Sequence, residues 1–429
     1  MEFKEYKLKD IAEVQTGPFG SQLHKKDYVD KGTPIITVEH LGDNRIKHTN
    51  LPRVTESDKE RLSKYILKTD DIVFSRVGSV DRRALIQKGE DGWLFSGRCL
   101  RVRVTSDGVN PTYLSYYFGT ERFKEYIRNI AVGATMPSLN TKILKELTII
   151  LPEKPLQDRI ASMLNSFTNK IQTNIIIAET LQELAQTLFK HWFFNFEFPD
   201  DDGEPYRSNG GKMVESELGL IPEGWEVGRL SELGDIVGGG TPSKKIEEYY
   251  TDQGVGWITP KDLSSDKSIF IEKGATDITE EALQKSSAKL LPENSVLFSS
   301  RAPIGYVAIS GRPVSTNQGF KSIVPYAHVP SEFVFFLLKH LTPAIEANAG
   351  GSTFKEISGK GMKNINTVIP DSKVLTLYQE SVHANFSYIK ELEKENRNLI
   401  SLRDILLPKL LSGEIELNEK IEEVENALV

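Results

Sequence analysis

Residues 156–194 read LQDRIASMLNSFTNKIQTNIIIAETLQELAQTLFKHWFF. Apolar residues recur at Ile160, Leu164, Phe167, Ile171, Ala178, Leu181, Ala185, Leu188 and Trp192, in alternating steps of four and three wherever the series is unbroken. That spacing is a coiled-coil seam and predicts one long helix. Between Ile171 and Ala178 the seam position falls on Asn174, and a polar residue there fixes register at some cost in stability. An amphipathic helix packed on its own domain is the competing reading, but about five heptads is long for a globular helix. The seam needs a partner from elsewhere in the chain.

An internal duplication supplies it. LKDIAEVQTG (8–17) aligns with LSELGDIVGG (230–239), 222 residues on, and at the same offset Tyr28 meets Tyr250, Thr37 meets Thr259 and Leu41 meets Leu263. DIVFSR (71–76) aligns with SVLFSSR (295–301) with one residue inserted, and GATMPSLNTKILKELTIILP (133–152) with GSTFKEISGKGMKNINTVIP (351–370). Blocks repeated in one order over such lengths are the mark of a duplicated unit. After the second copy, Val382, Phe386, Ile389, Ile400, Leu407 and Leu410 lie 222 residues beyond Ile160, Leu164, Phe167, Ala178, Ala185 and Leu188, and Asn396 answers Asn174. Glu393 and Arg403 roughen this second seam, leaving a competing stripe through Leu392, Leu399 and Leu406.

Both copies predict the same elements. The 8–17 and 230–239 segments lead into Gly-rich turns, while DIVFSR and SVLFSSR are buried strands. TYLSYYFGTERFKEYI (112–127) and SEFVFFLLKHLTPAIE (331–346) are amphipathic helices opened by Pro111 and Pro330. The expected fold class is α+β: two related mixed α/β domains separated by two long antiparallel helices that form a coiled-coil-like spacer, with an internal pseudo-two-fold repeat. Expected boundaries are 1–152 and 224–371 for the domains, 153–198 and 372–413 for the helices, 199–223 for a Pro/Gly/Asp-rich linker, and 414–429 for an acidic tail. Pro408 sits in the last turns of the second helix and Gly413 is its expected stop.

The net charge of -7 argues at first against nucleic acid, but its distribution does not. Residues 1–150 carry 25 Lys+Arg against 20 Asp+Glu, residues 224–371 carry 15 against 17, and the acidity concentrates in the linker and the tail. Charge permits a DNA partner without demanding one. A lone cysteine, Cys99, excludes an internal disulfide, and the seven histidines show no metal-ligand spacing. No bilayer-crossing run and no signal pattern are visible, so a cytoplasmic location is expected.

A helix of about 35 residues spans about 50 Å. Two of them antiparallel, carrying related but diverged domains, make a ruler suited to duplex DNA, whose turn is about 34–36 Å. The string TLFKHWFFNFEFP (187–199), followed by DGEPYRSNGGKMV (202–214), IPEGWEVGRLSELGDIVGGGTPS (221–243) and LRDILLPKLLSGEI (402–415), resembles the specificity subunit of type I restriction-modification systems over essentially the whole chain. The resemblance implies two target recognition domains, each reading one part of a bipartite asymmetric site in double-stranded DNA. It also implies helices that set the gap and dock two methyltransferase subunits, with restriction subunits joining the assembly. S-adenosylmethionine, ATP and Mg²⁺ would bind those partners, and the chain itself would be non-catalytic, directing DNA adenine methylation and cleavage.

Candidate contacts follow from residue chemistry. Lys25, Lys26, Lys244 and Lys245 follow the Gly-rich turns and suit phosphates, a solvated turn being the alternative. Arg76 and Arg301, after the buried strands, can fork onto guanine or phosphate, an internal carboxylate pair being the alternative. Arg82 and Arg83 occur in the first copy alone, where Gly305 and Tyr306 lie nearby in the second. Arg98 aligns with Gln318; Asn317 and Gln318 suit adenine, although Asn317 equally suits a turn. Thr135, Ser138, Asn140, Ser352, Thr353 and Lys355 lie in paired polar loops fit for a groove.

Other classes are weaker. Asn110-Pro111-Thr112-Tyr113 resembles an adenine methyltransferase motif, but its third residue is Thr, no cofactor loop precedes it, and a helix start explains it. The Gly-rich turns lack phosphate-loop fingerprints. A scaffold joining two protein-binding domains is the remaining rival. Trp192, Phe193 and Phe194 are read as packing residues.

Overall fold

The computed structural model describes residues 3–18, 20, 22–133, 136–351 and 355–415, and the chain folds into two compact units. The first unites residues up to Ile171 with the chain from Asn398 on; the second runs from Gln172 to Arg397. Each long helix therefore contributes one part to each unit.

In the first unit β1 (Phe3–Lys7) pairs antiparallel with β9 (Thr148–Pro152), bringing the chain start beside the entry to the first long helix. A four-stranded antiparallel sheet has the order β2 (Ala12–Thr16), β8 (Cys99–Val104), β5 (Ile72–Ser75), β6 (Arg83–Leu85). A second sheet joins β4 (Arg53–Val54), β3 (Thr33–Ile36) and β7 (Leu94–Phe95), with β3 and β7 parallel. Central strand β5 is buried throughout, and the period-two alternation of a strand divides its side chains. Ile72 and Phe74 face one core with Leu100, Val102 and the helical Tyr113 and Leu114; Val73 faces another with Ile35, Ile36 and Phe95.

The second unit repeats this plan. β12 (Glu226–Arg229) pairs with β22 (Asn366–Ile369) as β1 pairs with β9. A five-stranded sheet runs β13 (Gly234–Gly238), β21 (Lys321–Pro325), β18 (Val296–Ser300), β19 (Ile304–Ser310), β16 (Phe270–Ile271), and β15 (Gly256–Ile258) pairs parallel with β20 (Val314–Thr316) as β3 does with β7.

Two expectations about elements need correction. The amphipathic segment of the first copy is two helices, Pro111–Tyr117 and Glu121–Ile130, broken at Gly119. A side chain at Gly119 would collide with the Arg83 guanidinium that lies over it. Its counterpart is one helix, Ser331–Ala347, for which Pro330 is the cap rather than the first turn. The linker is also not featureless: Met213–Ser216 and Gly219–Pro222 form an antiparallel hairpin, and Phe198 stacks between Tyr206 and Trp225 at 4.6 and 5.0 Å.

The long helices span Lys154–Phe193 and Ser372–Ser412, and Gly413 ends the second with φ +77°. Within the first unit Ile160 and Leu164 share a core with Leu407 and Leu410, and Phe167 and Ile171 pack with Leu399. Within the second, Ala185, Phe189 and Trp192 share a core with Tyr378, Val382 and Phe386. The start of one helix thus lies against the end of the other in each unit, an antiparallel pairing. Ile400, expected in the seam, is 40% exposed, and Leu399 takes its place. Glu393 and Arg403 are buried because each has polar partners. Glu393 accepts from the backbone N–H groups of Ile269 and Phe270 at 2.7 and 2.9 Å, and Arg403 meets Asp43 at 2.6 Å. Asn174 donates to Asn396 Oδ1 at 3.0 Å and to Glu395 at 2.7 Å. Phe193 packs on Phe333, Tyr378 and Trp225 and is core with Trp192, whereas Phe194 is exposed and meets His340 at 4.1 Å. No helix among the described residues is long and apolar enough to cross a membrane.

Candidate nucleic-acid interface

In the first unit the ends of β2, β3, β5 and β7 and the start of β8 converge on one edge of the sheets. A cleft of about 710 Å³ opens there. It is lined by Thr37, Val38 and Glu39 from the turn after β3 and by Arg76, Arg82 and Arg98. Three sequence candidates are therefore brought together. Leu23 and Tyr28 also line the cleft, so the exposed turn Lys25–Asp27, with Lys25 and Lys26, belongs to a cleft-lining segment.

The arginines are held differently. Arg76 donates to the Gly97 carbonyl at 3.1 Å and to Thr16 Oγ1 at 3.4 Å, and Arg82 donates to the Leu41 carbonyl. Arg98 is exposed, and its side chain makes no hydrogen bond or ion pair among the described residues. Glu39 is also exposed, with Oε1 accepting from Thr37 Oγ1 at 3.1 Å. Sequence reasoning passed over Glu39 because it searched for positive charge; its offset from Thr37, a residue paired with Thr259 in the repeat, was the available signal.

Arg83 is a correction. It is 4% exposed, donates to the Ser115 carbonyl at 2.8 Å and faces Asp43 at 3.6 Å, so it cannot reach DNA. Strand alternation explains this: Arg82 and Arg83 are neighbours, and the pleat sends one to the cleft and the other inward.

The pairing of Arg76 with Arg301 also fails. Arg76 N–H donates to the Arg98 carbonyl and Ser300 N–H to that of Gly319; Leu139 N–H meets the Arg76 carbonyl and Ile357 N–H that of Ser300. Arg76 therefore corresponds to Ser300, and Arg98 to Gly319 rather than Gln318. One residue of slip reverses the side-chain direction. Arg301 lies 3.5 Å from Glu356, which also meets Lys321 at 3.4 Å, so the internal carboxylate pair is what forms.

At the corresponding edge of the second unit, Gln318 is exposed and receives a hydrogen bond from Thr241. Asn317 Oδ1 accepts from Gly319 N–H at 2.8 Å, a turn role. Lys244 and Lys245 are exposed in the loop after β13, and Lys355 is exposed beside Glu356. In the first unit's loop, Ser138 is half-buried, bridging Val132 and Val77, and Asn140 caps the helix Thr141–Lys145 by accepting from Ile143 N–H at 2.9 Å. These bonds make both residues structural. Thr135, Ser352 and Thr353 lie outside the described residues. Asn174 and Asn396 meet within the helix pair, away from these edges in sequence and element.

Comparison with known proteins adds independent weight. A family model described as type I restriction modification DNA specificity domain matches residues 1–184 and again 222–401. The chain is 25% identical to the type I restriction enzyme HindI specificity subunit of Haemophilus influenzae, over 96% of this chain and all of the relative. It is 28% identical to a putative MjaX specificity subunit of Methanocaldococcus jannaschii over 95% of this chain and 92% of the relative. The fold resembles the crystal structure of a type I restriction-modification system S subunit from M. genitalium, with TM-score 0.60 and 14% identity over 97% of both chains. Two matches to one specificity domain, together filling most of the sequence, make this chain a member of the type I restriction-modification specificity subunits, the non-catalytic DNA-recognition components of those enzymes.

Proposed function

We propose that each unit reads one part of a bipartite, asymmetric DNA site through the loops at its converging strand ends, and that the paired helices set the unread gap between the parts. The observation that carries this is the repetition of one backbone plan with different side chains at the same edge: Arg82 and Arg98 in the first unit, Gln318 and Thr241 in the second. Two copies with unlike surfaces suit two unlike DNA words. We assign the target recognition domains to residues 1–152 and 224–371, the spacer to 153–198 and 372–413, and the connection to 199–223. The outer helix faces, with exposed Ile176, Leu184, Tyr388 and Ile405, are suited to docking methyltransferase subunits. Restriction subunits complete the assembly, S-adenosylmethionine, ATP and Mg²⁺ belong to these partners, and residues 414–429 form the acidic tail.

The test is exchange of residues 224–371 for the corresponding domain of a relative, followed by mapping of methylated bases in cells expressing the chain with its methyltransferase subunit. One half of the methylated sequence should change and the other persist; alteration of both halves would defeat the modular reading. Deleting one heptad from each helix should shorten the gap and leave both halves intact.

A further inference from the structure

The cleft of the first unit has a chemical peculiarity. A surface built only for the DNA backbone needs cations, and a carboxylate inside it repels phosphate. Glu39 nevertheless shares this cleft with Arg76, Arg82 and Arg98. It is oriented by Thr37 and has no ion pair among the described residues, so it does not serve to neutralise a neighbouring arginine by contact. In the major groove the groups that reward a carboxylate are the amino groups of cytosine and adenine, and cytosine N4 is the usual acceptor-seeking partner of Glu. Arg98 lines the same cleft, is exposed and has no side-chain hydrogen bond or ion pair among the described residues, whereas Arg82 donates to the Leu41 carbonyl. An arginine fork matches guanine O6 and N7. Guanine and cytosine are the two halves of one base pair.

Resting on the bipartite reading above, we propose that the first unit reads a G·C pair from the major groove, with Arg98 donating to guanine O6 and N7 and Glu39 accepting from cytosine N4. The second unit lacks both groups. Ser96 N–H donates to Ile36 and Asn317 N–H to Ile258, which aligns the turns after β3 and β15, so the counterpart of Glu39 is Lys261. The counterpart of Arg98 is Gly319, and that of Arg82, set by the pairing of Phe74 with Arg83 and Phe298 with Val307, is Tyr306. The G·C requirement made by this pair therefore belongs to one half-site.

The experiment uses the full chain with its methyltransferase subunit and reads the methylated motif genome-wide, together with methylation rates on duplexes carrying each base pair at each position. The half-site of the first unit is the half that survives exchange of residues 224–371. In that half a G·C position should exist at which Glu39→Ala and Arg98→Ala each lower discrimination by about ten- to a hundred-fold. Glu39→Gln should move the preference at that position toward adenine, because an amide pairs with adenine N6 and N7. An unchanged thermal midpoint separates these losses from unfolding. Relaxation at an A·T position, or a sequence-independent loss of rate with an unchanged motif, would overturn the G·C assignment while leaving the bipartite reading in place. Relaxation in both halves would instead overturn the bipartite reading.

Discussion

The strand-end edge of the first unit and that of the second share a backbone and almost nothing else. Hydrogen bonds from Ser96, Arg76 and Leu139 recur from Asn317, Ser300 and Ile357, to carbonyls at matching positions. Yet Glu39 faces Lys261 in the correspondence, a full reversal of charge, and Arg82 faces Tyr306, which lies under Lys267 at 5.1 Å. The ladder uses main-chain groups, which every residue supplies, so it tolerates exchange of the side chains projecting beyond it. A duplicated scaffold can in this way hold two surfaces of different chemistry.

The same contrast extends inward, where it has its largest expected effect. Arg83 is buried with charge, whereas Val307, its partner in the correspondence, is apolar and half-buried. Arg83→Ala removes the donor to the Ser115 carbonyl and the packing over Gly119, and it should destabilise the chain by about 3 kcal/mol. The cost stays at the low end for loss of a buried charge because Asp43, whose side chain is 60% exposed, is left solvated and keeps Arg403. Val307→Ala should cost about 1 kcal/mol. Denaturant unfolding of both variants checks this, and equal losses would break the contrast.

Next in size is a pH effect confined to the second unit. Burial pushes the Glu393 carboxyl up to about 7, against the opposing pull of the Phe270 and Ile269 N–H groups. The residue 222 positions earlier is Ile171, which does not titrate. A carboxyl whose folded pKa exceeds its unfolded value contributes its full stability below the ordinary carboxylate range and loses it as pH rises to about 7. From the ordinary value of 4.5 to about 7, at about 1.4 kcal/mol per unit, the loss between pH 4.5 and 8 should be just under about 3 kcal/mol. Thermal midpoints from pH 4.5 to 8 should fall less steeply for Glu393→Gln than for the parent chain, and parallel curves would refute the assignment.

A smaller effect is expected where the two halves of the repeat meet. Asn174→Ala removes the bonds to Asn396 and Glu395 and should cost about 1 kcal/mol. Replacing Asn174 and Asn396 together by leucine should recover or exceed the parent midpoint while admitting other registers, read as more than one gap length in the methylated motif.

The long helices, the duplication and the buried strands were legible because they rest on periodicity, which spacing alone reveals. The one-residue slip between Arg76 and Arg301 was not, because similar strings align equally well on either side of an insertion and only hydrogen bonds fix strand register. Arg83 was misplaced for the related reason that adjacent strand residues have opposite fates. The hairpin in the linker hid behind Pro, Gly and Asp, which serve tight turns as readily as open loops. Glu393 and Arg403 looked like flaws in a seam because their partners, Ile269, Phe270 and Asp43, lie more than a hundred residues away.

The lysine pairs set the lower limit of the contrast, since here the two units are alike. Lys25 and Lys26 in one and Lys244 and Lys245 in the other are exposed beside their strand-end edges. An ammonium on a flexible stem meets phosphate as a point charge and carries little base information. Replacing either pair with alanine should weaken DNA binding by the assembled methyltransferase and reduce the dependence of log affinity on log salt by about 1 to 2. The methylated motif should stay the same in both variants. A changed base preference would give these lysines a reading role, and an unchanged salt slope would return them to solvent. Either result would move the boundary between what the two units share and what distinguishes them, because a sequence-independent grip common to both leaves discrimination to groups such as Glu39 and Arg98, present in one unit alone.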